Sequence, residues 1–291
     1  MEYTMKLRAF ILLTIASAAF SLPLAAQTYT FQTILECNSL TAFPVAMNGS
    51  GVVVGSAHNI FGPGAGMIYY NGTCQTYDEA VFYGVSDTDW LLESPLAFSV
   101  GNTYFLAEPG GKPAALPTYP GAQGTDYCCM DTAAGVLAGN YYTTGGGPIG
   151  CLYQNGTFTS LPWSDASGSP SYMYTITALN NTGITVGNYE GAEQLGFVYA
   201  KGKMTLLSYP GATYTYFYGI NDYGVIVGSY NVKATGVSNL FLYSLATAKW
   251  TNLDFPYPYD NMTPVGISNA GVIALQYSAS GGMAIATPPS K

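Results

Sequence analysis

One phrase returns six times along this chain, and that repetition constrains the fold more than any other feature. Its clearest copy is Gly219-Ile220-Asn221-Asp222-Tyr223-Gly224-Val225-Ile226-Val227-Gly228-Ser229-Tyr230. Relatives start at Ala46, Met130, Ala178 and Gly266. A degenerate copy starts at Gly84, where Asp89 and Glu93 replace glycines found in most of the others. The shared turn positions, Gly51, Asp89, Gly135, Gly183, Gly224 and Gly271, lie 38 to 48 residues apart with a mean of 44. Each copy predicts a strand, an Asn/Asp-x-Gly turn that needs a positive φ, and a second, apolar strand.

A second column follows downstream: Met67, Phe105, Cys151, Phe197, Phe241 and Met283. It marks the start of a third strand, as in Phe197-Val198-Tyr199-Ala200. A glycine turn such as Lys201-Gly202-Lys203 then leads to a fourth, Met204-Thr205-Leu206-Leu207. Four antiparallel strands in about 44 residues is the size of a propeller blade. The chain ends after a third strand, Met283–Ala286, and holds an unassigned strand at Tyr29–Leu35. The expected fold is therefore all-β: a propeller of about six four-stranded blades, its last blade completed by the N-terminal strand, which removes two open edges. An open solenoid would leave the Tyr29–Leu35 strand unexplained and require polar caps.

Ahead of this repeat domain, residues 27–291, lies an address. Lys6 and Arg8 precede an apolar run, Ala9–Ala16, and small residues ending Leu24-Ala25-Ala26. That order is the pattern of a secretory signal peptide over residues 1–26. The run is shorter than the roughly 20 residues of a membrane span, and no later segment is a long apolar run. The mature chain is expected to be secreted, extracellular or periplasmic, with no membrane span.

Charge excludes several partners. Only 8% of residues are charged, against roughly 25% in an ordinary domain, yet 48% are hydrophobic, which rules out a disordered chain. Eight basic residues form no patch that could neutralise a nucleic-acid backbone. Beyond residue 26 no arginine remains, and with it goes the usual bidentate clamp for phosphate or sulfate.

The Gly-Ile-Asn-Asp-x-Gly-x-Ile-Val-Gly-x-Tyr phrase resembles the HAF-repeat extracellular proteins. So do the segments Leu206-Leu207-Ser208-Tyr209-Pro210-Gly211-Ala212 and Leu116-Pro117-Thr118-Tyr119-Pro120-Gly121-Ala122. The resemblance covers nearly all of residues 27–291 and implies a secreted bacterial protein of propeller-like fold, without assigned catalytic residues. The histidine of that family's His-Ala-Phe signature is absent: Leu195-Gly196-Phe197 and Asn239-Leu240-Phe241 stand in its place.

Catalytic and metal signatures are sparse. The one histidine, His58, lies in a Gly/Ala/Asn-rich stretch with no nucleophile elbow in the chain, and reads as a solvated loop residue. Five cysteines in an exported chain imply disulfides with at least one thiol left over. Their pairing is open, and Cys151, in the Phe/Met column, reads as a buried hydrophobe. The Asn/Asp-x-Gly turns offer too few oxygens for calcium; Asp87 and Asp89 form the one suggestive pair. No cofactor or metal is expected.

What remains is one face of the ring, where the loops after the second and fourth strands converge. There the sequence gathers aromatic and acidic residues, of which Tyr119, Asp126, Trp163, Asp165, Tyr209, Tyr214, Tyr257, Tyr259 and Asp260 are the ligand-binding candidates. Aromatic rings stack on the C–H faces of sugars and carboxylates accept hydroxyl hydrogen bonds. The expected function is a non-catalytic module binding a glycan or cell-surface polymer. Two alternatives stay open: a carbohydrate-active enzyme using Asp126, Asp165 or Asp260 as its acid–base pair, and a scaffold or adhesin with a protein partner, for which Tyr and Trp also suit. Many of these tyrosines could equally pack between blades.

Overall fold

The computed structural model describes residues 29–58, 64–78, 80–95, 103–109, 111–144, 146–162, 173–191, 193–232, 238–253, 262–277 and 281–289; residues 1–26, read from sequence as a signal peptide, lie outside them. All regular structure among the described residues is β-strand. After β1 (Thr30–Ile34) and the two-residue β2 (Glu36–Cys37), a first unit runs β3 (Leu40–Met47), β4 (Val53–His58), β5 (Ala65–Tyr70) and β6 (Thr73–Tyr77). A second unit comprises β7 (Ala80–Val85), β8 (Leu91–Pro95), β9 (Phe105–Ala107) and β10 (Ala114–Ala115). The third is β11 (Gly124–Asp131), β12 (Val136–Tyr142), β13 (Pro148–Gln154) and β14 (Thr157–Ser160). The fourth is β15 (Met173–Leu179), β16 (Thr185–Glu190), β17 (Gln194–Ala200) and β18 (Lys203–Leu207). The fifth is β19 (Tyr214–Ile220), β20 (Val225–Asn231), β21 (Ser238–Ser244) and β22 (Lys249–Leu253), followed by β23 (Met262–Ile267), β24 (Ile273–Tyr277) and β25 (Met283–Thr287).

Within each unit consecutive strands pair antiparallel. β1 lies antiparallel beside β25, from Thr30 opposite Thr287 to Ile34 opposite Met283. The sheets are not all separate: single parallel pairs, Ile149 with Tyr174 and Gln194 with Tyr214, join the third, fourth and fifth units into one twelve-stranded sheet. Each unit's first strand packs on the next unit's, β3 on β7, β7 on β11, β11 on β15, β15 on β19, β19 on β23, and β23 on β3.

The six repeat phrases fall on the hairpins between first and second strands, and each marked turn residue has positive φ, from 61° at Asp89 to 91° at Gly51. Asparagine opens three of these turns because it serves two neighbours at once. The Asn221 Oδ1 accepts from the Val225 N–H of its own turn at 2.9 Å, while its Nδ2 donates to the Ser268 carbonyl of the next unit at 3.0 Å. Asn180 does the same with Ile184 and Asn221, and Asn48 with Val52 and Ser86. All three are buried, so losing either bond would leave a polar group unsatisfied.

The second-strand glycines have an equally local cause. A Cβ on Gly228 would meet the Tyr216 carbonyl and the Phe241 ring at 2.3 Å, and one on Gly187 would meet the Thr175 carbonyl at 2.0 Å. Glycine lets the first strand and the third-strand aromatic close on the second from both sides. Phe197 and Phe241 are accordingly fully buried, in the middle of β17 and β21 rather than at their starts. Apolar clusters lie between units: Val227, Leu240 and Leu253 meet Ile273, Leu275 and Ala284, and Met67 and Val53 meet Ala274 and Met283. Cys37 and Cys74 form a disulfide joining β2 to β6. Cys151 is buried, as its column suggests.

Candidate functional site

Every first strand carries a bulge: the register shifts at Val45, Tyr83, Cys128, Thr177, Tyr218 and Val265. Cys128, Thr177 and Val265 line a central space between the first strands, with about 60 Å³ open to water. That holds roughly four waters and no sugar ring, so the central space itself does not seat a ligand of sugar size. Side chains bridge neighbouring and opposite units on the hairpin side. Asn181 Nδ2 donates to Asp87 Oδ2 at 2.7 Å and to Asp222 Oδ2 at 3.2 Å, and Asn269 Nδ2 donates to the same Asp222 oxygen at 2.8 Å. Asp87 is thus bonded to Asn181 and to the Ser50 N–H rather than facing a metal with Asp89. Among the described residues no group of three His, Cys, Asp or Glu is placed to hold a metal ion.

At the opposite end the structure assembles one carboxylate among tyrosines. Asp126 lies two residues before the bulged Cys128, on the same face of β11 by strand alternation. The Tyr104 hydroxyl donates to Asp126 Oδ1 at 3.3 Å, and the Tyr142 phenol, at the end of β12, lies near enough to feel the same carboxylate. Tyr83, the bulge residue of β7, packs edge-on to Tyr104 with centroids 5.1 Å apart. Burial raises the pKa of the Tyr83 and Tyr142 phenols, and the Asp126 charge raises both further. These phenols therefore stay protonated and available as hydrogen-bond donors. Two units on, at the same register position as Asp126, Tyr216 donates to Gln194 Oε1, with Tyr218 beside it. Burial and then the Glu190 charge raise the Tyr216 phenol.

The candidates read from sequence separate into three groups. Asp126 is central to the cluster. Tyr214, the first residue of β19, is 42% exposed. Tyr119 and Tyr209, on the segments leading into the third and fifth units, are packed into those units. Tyr119 stacks on Tyr141 with centroids 3.7 Å apart and bonds Ser160 at 2.7 Å; Tyr209 stacks on Tyr230 at 3.7 Å and bonds Asn252 at 2.7 Å. Their backbone N–H groups are capped by the buried hydroxyls of Thr125 and Thr215. Trp163, Asp165, Tyr257, Tyr259 and Asp260 lie outside the described residues. Sequence reasoning missed Tyr83, Tyr104 and Tyr142, whose convergence depends on a bulge and on two neighbouring units. It also placed His58 in a solvated loop. His58 closes β4, half-buried, and stacks on Phe43 with centroids 4.2 Å apart. A second concavity of about 410 Å³ lies between the first two units, bordered by Val52, Ile68, Tyr70, Asp87, Asp89 and Leu91.

No known family model matches this chain, and no curated protein matches it in sequence. Its backbone is similar to that of a gluconolactonase from Xanthomonas campestris, with 10% identity over 91% of this chain and 92% of that one and a TM-score of 0.57. It is similar to TolB from Acinetobacter baumannii at 10% identity and a TM-score of 0.56, covering 85% of this chain and 66% of that protein. A putative TolB from Agrobacterium tumefaciens gives 9% identity and a TM-score of 0.56 over 92% of this chain and 100% of that one. At such identities the likeness establishes architecture alone: this all-β chain has the fold of a β-propeller.

Proposed function

We propose that the chain is a six-bladed propeller closed by its N-terminal strand, exported after removal of residues 1–26, and that it binds a glycan or cell-surface polymer at its tyrosine-rich mouth without catalysis. The β1–β25 pairing and the contact of β23 with β3 support the ring. Its resemblance to HAF-repeat proteins accords with an extracellular role. The observation that carries the binding reading is the Asp126 carboxylate set among Tyr83, Tyr104 and Tyr142. A carboxylate accepts two sugar hydroxyls, and aromatic faces cover the C–H side of the ring.

Purified residues 27–291 on a broad glycan array, with co-sedimentation on insoluble polysaccharides, test this. At least one glycan class is expected to bind, and Asp126→Asn to weaken it about tenfold or more, the value of a lost charge-assisted hydrogen bond, with melting nearly unchanged. Trp163→Ala with Tyr259→Ala is expected to weaken the same binding. A blank array from protein with a cooperative melt would sink the glycan reading and move the search to protein partners. Release of new reducing ends from a bound glycan would overturn the non-catalytic part and point to Asp126 with Asp165 or Asp260 as acid and base.

A further inference from the structure

Neighbouring side chains on a regular strand point to opposite faces. The bulge in β11 suspends that rule. Tyr127 pairs with Gly139 and Cys129 with Ala138, while Cys128 between them has no partner across the ladder. A bulge of this kind lets two consecutive side chains turn the same way, and the Cys128 and Cys129 sulfurs lie 2.7 Å apart. That is only about 0.65 Å beyond a covalent S–S bond.

Comparison with the other bulges shows that Cys129 is out of place as an ordinary wall residue. Its register position is filled elsewhere by Ala46, Gly84, Ala178, Gly219 and Gly266. Crowding between first strands explains the small side chains. A Cβ on Gly219 would lie 2.8 Å from the Gly266 Cα, and one on Gly266 would lie 2.6 Å from the Met47 Cβ. Cys129 is the largest residue in this column, and it is accommodated by folding back onto Cys128. Cys128 in turn borders the central space.

We propose that Cys128 and Cys129 are joined as a disulfide between adjacent residues, which forms part of the wall of the central space. The Cys37–Cys74 bond is the product of the same oxidising chemistry, and the co-reactant is a disulfide oxidant, either a small-molecule disulfide or a thiol oxidoreductase. The Cys128 thiolate attacks one sulfur of that disulfide and expels the other as a thiolate. The Cys129 thiolate then attacks the Cys128 sulfur of the mixed disulfide and expels the second. Both protons pass to the two released thiolates, so one dithiol is oxidised and one disulfide reduced. Burial and the neighbouring Cys128 push the Cys129 thiol well above its ordinary pKa. Cys151 remains the single thiol.

Thiol counting on the exported chain tests this. The protein is unfolded in acid, alkylated without reductant, and cut by chymotrypsin. Cleavage after Tyr127 and Tyr142 separates the adjacent pair from Cys151. One alkylated site, Cys151, is expected, with the Cys128–Cys129 peptide lighter than its dithiol form by two hydrogens. Three alkylated sites, or a bond from either residue to Cys151, would overturn the proposal. Cys129→Ala, which installs the residue found at positions 46 and 178, is expected to fold and to show two alkylated sites, Cys128 and Cys151. Absence of any alkylated site in that variant would mean that Cys128 pairs with Cys151, and would equally overturn it.

Discussion

The second and fifth units are built from the same phrase, yet they differ in how closely their strands approach. In the fifth, Gly224 turns the chain at φ 71°, Gly228 admits the Tyr216 carbonyl on one side, and Phe241 is fully buried on the other. Its third and fourth strands run seven and five residues. In the second, Asp89 makes the turn at φ 61°, Glu93 holds the place of Gly228, and the facing Phe105 is only half-buried. Its third and fourth strands shrink to three and two residues, and the 410 Å³ concavity opens beside Asp89. A missing side chain is thus what allows a unit to close: where Glu93 fills the gap, ring burial and strand length fall together.

Truncating the facing rings gives the largest contrast. Phe241→Ala is expected to cost about 3–5 kcal/mol, whereas Phe105→Ala, at a half-buried site, is expected to cost about 1–2 kcal/mol. Urea denaturation of both variants checks this, and equal losses would break the comparison. The turn should give a smaller effect of opposite sign in the two units. Asp89→Gly is expected to stabilise by up to about 1 kcal/mol by relieving a left-handed residue, and Gly224→Ala to destabilise by a similar amount. A loss on Asp89→Gly would mean that the carboxylate, rather than the backbone, holds that turn.

Glu93 supplies the smallest and most specific difference. Burial raises its carboxyl above the ordinary value of 4.5. The folded state therefore binds the proton more tightly than the unfolded state, so this group's contribution to stability falls as pH rises from the unfolded to the folded pKa. Glu93→Gln is expected to be slightly more stable than the parent at neutral pH and to lose that part of the decline above pH 4.5. Melting curves from pH 4 to 8 would show it; parallel curves for the two proteins would exclude a role for Glu93.

The hairpins and the Phe/Met column were legible because both obey local rules: a positive φ selects Gly or Asp, and a fixed register places one apolar residue opposite one glycine. The binding candidates obeyed no such rule. A loop tyrosine looks the same whether it meets solvent or stacks on Tyr141 or Tyr230, partners that come from other segments. Tyr83, Tyr104 and Tyr142 reach Asp126 from three strands or loops in two units, and no spacing in the chain announces that meeting. The single-residue parallel pairs that fuse three units were equally invisible, since one ladder contact leaves no periodic trace.

The pairing of β1 with β25 also sets the order of events in folding. Its side-chain bond from Thr30 to the Thr287 carbonyl spans 257 residues of sequence, while most other strand pairs join residues only a short turn apart. Contacts of such separation form late, because loop closure must precede any reward from pairing. The five hairpin-rich units can gather as they emerge, but the first strand waits, unpaired, for the last to be synthesised. Completion is therefore an event of the whole chain, and a stall or truncation anywhere upstream of residue 283 leaves β1 as an open edge in search of another molecule's β25.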